Sequence, residues 1–112
     1  MSQYRLVYYV VYRLPADSPE HASRMVLDAL TVAFPKAKFD LVSSTLAAMQ
    51  SQAGKTLYDV ALGASGEVTA TNITDSLTKV AVPASGAVPT GTATLIQSIQ
   101  MASIDARVEG KF

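Results

Sequence analysis

Residues 4–13 read Tyr4-Arg5-Leu6-Val7-Tyr8-Tyr9-Val10-Val11-Tyr12-Arg13. β-Branched and aromatic side chains suit a pleated backbone, so this run predicts a strand. Alternation puts Tyr4, Leu6, Tyr8, Val10 and Tyr12 on one face. Arg5, Val7, Tyr9, Val11 and Arg13 fall on the other. A strand packed on one side only would alternate with polar residues. Here both faces are apolar in the middle. That implies cover on both sides, or a partner against the second face.

The next residues turn the chain into a helix. Asp17 or Ser18 can cap it, Pro19 suits its first turn, and Asp17-x-x-Glu20 has capping-box spacing. Ala22, Met25, Val26, Ala29, Leu30, Ala33 and Phe34 recur at helical spacing. Leu27 and Val32 widen that apolar face, and Pro35 stops the helix. Beyond it, residues 36–44 read as a strand. Residues 45–53 suit either a short helix ended by Gly54 or one arm of a hairpin turning at Gly54-Lys55. Residues 56–64 form a strand, Ser65-Gly66 a turn, and residues 67–74 a Thr-rich strand. Residues 75–79 suggest a turn or a brief helical turn. Val80-Ala81-Val82 is a short strand, and residues 83–91 form a loop with two prolines and two glycines. The stretch 92–108 closes the chain, its second half alternating as a strand. The expected architecture is a single α+β domain over residues 1–112. It has a mainly antiparallel sheet of about five or six strands and one long helix, about 19–34, following strand one.

Composition narrows the function classes. The 112 residues carry nine Lys+Arg and nine Asp+Glu, for zero net charge. Charged residues are 16% of the chain, against roughly 25% in ordinary soluble domains. Together with 49% hydrophobic residues, this excludes a disordered chain, a basic nucleic-acid tail and an acidic solvating protein. No cysteine is present, which excludes disulfides, thiolate catalysis and iron–sulfur clusters. The N-terminus lacks the pattern of a signal peptide, and no apolar run approaches membrane-spanning length. Synthesis in the cytoplasm is the expectation. Asn72-Ile73-Thr74 matches a glycosylation sequon, which carries no weight without secretion.

Charge distribution says more. Nine of the 18 charged residues lie in the first 40 positions. Residues 41–54 and 80–104, runs of 14 and 25, contain none. Exposed surface normally carries interspersed charges that keep molecules apart. Charge-poor stretches of Ala, Ser and Thr with Leu, Ile and Val point to contact between identical subunits; the competing reading is a Thr/Ser-rich β-domain that is merely low in charge.

Candidate sites are few. His21 is the sole histidine, close to Asp17 and Glu20. No nucleophile accompanies it, and three ligands in one turn do not converge on a metal, so it reads as a surface residue. No catalytic residue, metal site or cofactor is expected. Gly63-Ala64-Ser65-Gly66 has neither dinucleotide-fingerprint spacing nor a P-loop lysine. Tyr4, Tyr8 and Tyr12 read as core, with a tyrosine-lined ligand pocket as the alternative. The best binding candidates are Arg5, Tyr9 and Arg13 on the second face of strand one. The two guanidiniums, about 27 Å apart, suit phosphates, and the tyrosine between them suits a base. The competing reading has both arginines paired with carboxylates. Lys36, Lys38, Lys55, Lys79 and Arg107 add to a basic surface if the fold gathers them.

Small size, absence of cysteine, abundance of Ala, Ser and Thr, and charge-poor surface are together similar to the composition of small RNA-phage coat proteins. The resemblance is one of composition and aligns no stretch. The order of elements differs, because the long helix comes near the start here and at the end in those coats. The resemblance implies a non-enzymatic structural subunit that dimerises, self-assembles into a capsid and packages RNA in a virion. The alternative is a small homodimer of ferredoxin-like α+β type that binds or converts a small apolar ligand, with His21 or a tyrosine as its polar handle.

Overall fold

A computed structural model describes residues 2–52, 55–79 and 93–105, with residues 48–52 and 55 described by backbone alone. Six elements follow one another: β1 (Ser2–Ala16), α1 (Pro19–Ala33), β2 (Lys38–Gln52), β3 (Lys55–Ala70), α2 (Ile73–Ser76) and β4 (Thr94–Asp105). The four strands form one antiparallel sheet in the order β2-β3-β1-β4. A β-α-β-β-α-β chain with this strand order has the split β-α-β, or ferredoxin-like, connectivity.

The α+β class and the antiparallel sheet are as the sequence suggests, but the strand number is not. Four strands, not five or six, make up the described sheet. One cause is Ser65-Gly66, which does not turn. Ser65 pairs with Val7 of β1 and with Lys38 of β2, and Gly66 pairs with Leu6. Hydrogen-bonded ladders on both sides outweigh the local turn preference, so residues 56–64 and 67–70 are one strand. Residues 45–52 likewise extend β2 rather than form a helix. The expected strand at 80–82, the loop at 83–91 and residues 106–108 lie outside the described residues.

A single long helix is also not what forms. Helix α1 has 15 residues, and a second helix of four residues, α2, follows β3. Ser18 caps α1, its Oγ accepting the His21 amide at 3.1 Å. The Asp17–Glu20 box does not form. Instead His21 Nδ1 accepts the Asp17 amide at 3.3 Å, so the histidine returns the bond that a box glutamate would supply. Phe34 closes the helix, its amide reaching the Leu30 carbonyl before Pro35.

The core lies between α1 and the sheet. β1 contributes Tyr4, Leu6, Tyr8, Val10, Tyr12 and Leu14, all buried. Ala22, Val26 and Leu30 of α1 pack there with Val60, Leu62 and Ala64 of β3. Ser44 Oγ donates to the Pro19 carbonyl at 2.6 Å and ties β2 to the start of α1. Helix α2 lies over the same face, where Ser76 and Ser103 share a hydroxyl–hydroxyl bond. Tyr8 Oη donates to the Lys79 carbonyl at 3.5 Å. Both helices therefore cover one side. The other side carries Arg5, Val7, Tyr9, Val11 and Arg13; no described helix lies over it, Val11 and its partner Ala61 are buried, and the other four are half-buried.

The outer strands are irregular in a consistent way. Pairing of β4 with β1 skips one residue at Met101 and one at Ile96, and pairing of β2 with β3 skips one at Val42 and shifts again between Leu46 and Ser51. A bulge leaves its extra residue outside the ladder. Each of these three extra residues is apolar and exposed: Met101 by 63%, Val42 by 62% and Ile96 by 43%.

Candidate nucleic-acid interface

Alternation along β1 brings Arg5, Tyr9 and Arg13 to the open face, as their odd numbering requires. Their partners on β3 are set by register. Arg13 lies opposite Asp59, Tyr9 opposite Gly63 and Arg5 opposite Glu67.

Both arginines face carboxylates. Arg13 Nε and Nη2 donate to the two oxygens of Asp59 at 2.8 and 3.1 Å. This fork-on-fork pair is the strong form of an arginine–carboxylate contact. It holds the guanidinium pKa above its usual value, first through the hydrogen bond and then through the charge of Asp59. Arg5 Nη2 stands 3.8 Å from Glu67, a looser contact with both side chains substantially exposed. The expected trio shares a face, but Arg13 is already committed to a neighbour.

Lysines that sequence reasoning left unplaced fall beside Arg5. Lys36 sits in the turn after Pro35, and Lys38 opens β2 opposite Ser65. Both are exposed. With Arg5, Gln3, Ser65 and Glu67 they surround a concavity of about 270 Å³. A second concavity, about 220 Å³, shares Arg5 and Ser65 and extends to Gly63 and Ile104. The two hollows form one trough along the N-terminal half of β1. Its floor is low at Gly63, which has no side chain and is the register neighbour of Tyr9. The signal for this cluster was the alternation Lys36-x-Lys38, which points to one face only once the β2–β3 register is known.

The remaining candidates resolve into structure. Lys79 lies by α2, with Nζ 3.9 Å from Asp75, away from the open face. Lys55 and Arg107 lie outside the described side chains. His21 sits 3.5 Å from Asp17 at the helix start. Among the described residues no group of three His, Asp or Glu is placed to hold a metal. No described helix is long and apolar enough to cross a membrane. Asn72 of the sequon caps α2, its Oδ1 accepting the Asp75 amide at 2.8 Å. Gly63–Gly66 is strand, not a phosphate loop.

The tyrosine stripe is core. Burial pushes the Tyr8 phenol up and that of Tyr12 to about 12. Tyr12 Oη is buried without a hydrogen-bond partner among the described residues, as is Gln100 Nε2 on β4.

Compared with known proteins, the chain matches no family model, no curated sequence and no solved structure.

Proposed function

We propose that this chain is a non-enzymatic structural subunit that assembles with copies of itself through the edges of its sheet. Its most specific form is a small viral coat subunit, RNA-phage-like in composition, that dimerises and packages nucleic acid in a virion.

One observation carries the reading: both outer strands are long, free of charge over most of their length, and apolar where they are exposed. β4 has no charged residue from Thr94 to Ile104 and exposes Ile96, Ile99, Met101 and Ile104. β2 has none from Leu41 to Gln52 and exposes Leu41, Val42 and Leu46. Proteins that remain monomeric blunt such edges with lysine, proline or short strands, because an edge presents unpaired amides and carbonyls. Bulges also blunt edges, but here the three single-residue bulges carry exposed apolar side chains, which favours contact. A twelve-residue edge is about 40 Å long, enough for an extended seam. Two edges per subunit, unpaired among the described residues, suit an assembly that closes on itself by symmetry. The open face with Arg5, Tyr9 and Arg13 then meets the packaged strand.

A second reading is favoured by the strand order. The split β-α-β connectivity suits a small homodimer binding an apolar ligand, with the buried Tyr12 hydroxyl as its polar handle. Fold alone does not supply a function.

Assembly size separates the two. Light scattering on the recombinant protein, with ultraviolet absorbance and negative-stain microscopy, is the test. Particles of many copies that contain nucleic acid support the coat reading. A stable dimer without nucleic acid overturns it in favour of the ligand-binding domain.

A further inference from the structure

We infer that the trough formed by Arg5, Lys36 and Lys38 binds the phosphodiester backbone of a single-stranded nucleic acid, with a neighbouring base stacked on Tyr9. The choice of ligand rests on the packaging reading; the location of the site does not. Three cations and the polar side chains of Gln3 and Ser65 line one concavity of about 270 Å³. Among the described residues Glu67 is its one carboxylate, 3.8 Å from Arg5, so the described lining carries a net positive charge. Among the described residues no carboxylate lies within ion-pairing distance of Lys36 or Lys38, whereas Arg13 is forked onto Asp59. Cations not already paired within the protein are the ones that can neutralise phosphates and release the counterions condensed on the polyanion.

The second hollow gives the site direction. It leads from Arg5 and Ser65 to Gly63. Gly63 lies opposite Tyr9 in the β1–β3 register, so the hollow ends at the strand position next to the tyrosine, and a flat group can approach the backbone there. Arg5 and Tyr9 are four residues apart on one strand, about 13 Å. A backbone held at the cationic end therefore delivers bases toward the tyrosine. Such a base must be unpaired to expose its face, which selects a single strand over a duplex. Asp40 borders the second hollow and disfavours a phosphate there. That confines the anion to the Lys36–Lys38 end.

The test measures binding of a fluorescent oligouridine RNA by anisotropy across a salt series, for the whole protein and two charge-matched double variants. Lys36→Gln/Lys38→Gln removes two trough cations. Arg24→Gln/Lys79→Gln removes two from elsewhere: Arg24 is on the exposed side of α1, and Lys79 is beside α2. The expected result is a loss of about tenfold for the first pair and a salt slope shallower by about 1 per lysine removed. The second pair stays near the unaltered protein, and Tyr9→Ala weakens binding without changing the slope. Equal losses for the two pairs overturn the site but leave packaging intact. No binding by the unaltered protein, with particles still forming, overturns the site and the packaging together. A mononucleotide or inorganic phosphate that binds as tightly as the oligonucleotide assigns the trough to small anions and overturns the polymer.

Discussion

Arg13 and Asp59 face each other across the β1–β3 ladder and exchange two hydrogen bonds, at 2.8 and 3.1 Å. The pair ties together the two central strands at one end of the open face, while the cationic trough occupies the other. Removing either partner leaves its counterpart without its fork, so Arg13→Gln and Asp59→Asn should each lower the melting temperature. The double variant should lose less than the sum, because one interaction is removed twice in that sum. A thermal-melt double-mutant cycle reads this coupling. Arg13→Gln should also affect RNA affinity less than Lys36→Gln/Lys38→Gln does.

Tyr12 presents the opposite situation, a buried hydroxyl with no hydrogen-bond partner among the described residues. Such a group costs its desolvation without a compensating bond. Tyr12→Phe should therefore stabilise the fold by about 1 kcal/mol, an increase in melting temperature of about 4–8 °C for a domain near this size. The alkaline limb gives an independent check. The folded phenol titrates near 12, above the ordinary value near 10. Its contribution is fully present below about 10 and lost as pH rises toward 12, because the unfolded state releases the proton first. Tyr12→Phe should flatten that loss in denaturant melts, leaving the part due to Tyr8. A destabilised Tyr12→Phe would show that the hydroxyl has a partner.

The start of α2 should respond to acid. Asp75 accepts the Thr71 amide at 3.0 Å, which is the largest influence holding its pKa below the usual carboxylate value, with Lys79 assisting. A lowered folded pKa gives stability that is present above the unfolded value and lost as pH falls through the folded one. The Thr71 amide resonance should accordingly shift in that acid window in the unaltered protein. In Asp75→Asn the shift should vanish. An unchanged titration in the variant would assign it to another carboxylate.

How much of this was readable beforehand depended on the range of the forces involved. The two faces of β1, the start of α1 and its stop at Pro35 are set by neighbours in sequence, and residues 4–34 declare them. His21 is half-exposed at the helix start, and the bond its Nδ1 accepts from the Asp17 amide needed that start to be seen. Ser65-Gly66 misled because its turn preference is local, whereas the pairings with Val7, Lys38 and Leu6 that override it come from distant strands. Bulges at Val42, Ile96 and Met101 depend on the register of two strands at once and leave no mark in either alone. The same holds for the trough. Arg5 was identifiable from its strand, but Lys36 and Lys38 join it only through β3.

Charge placed at the bulges tests whether the sheet edges join subunits. Val42, Ile96 and Met101 lie outside the ladders with exposed side chains, so Val42→Lys and Met101→Lys should leave the fold and its melting temperature nearly unchanged. The decisive measurement is the light-scattering mass of the unaltered protein beside the Val42→Lys/Met101→Lys variant at matched concentrations. Assembly through the sheet edges requires a mass many times the 11.8 kDa chain for the first and a collapse to small species for the folded variant. A mass of one or two chains for the unaltered protein, or large particles that survive both lysines, would contradict it.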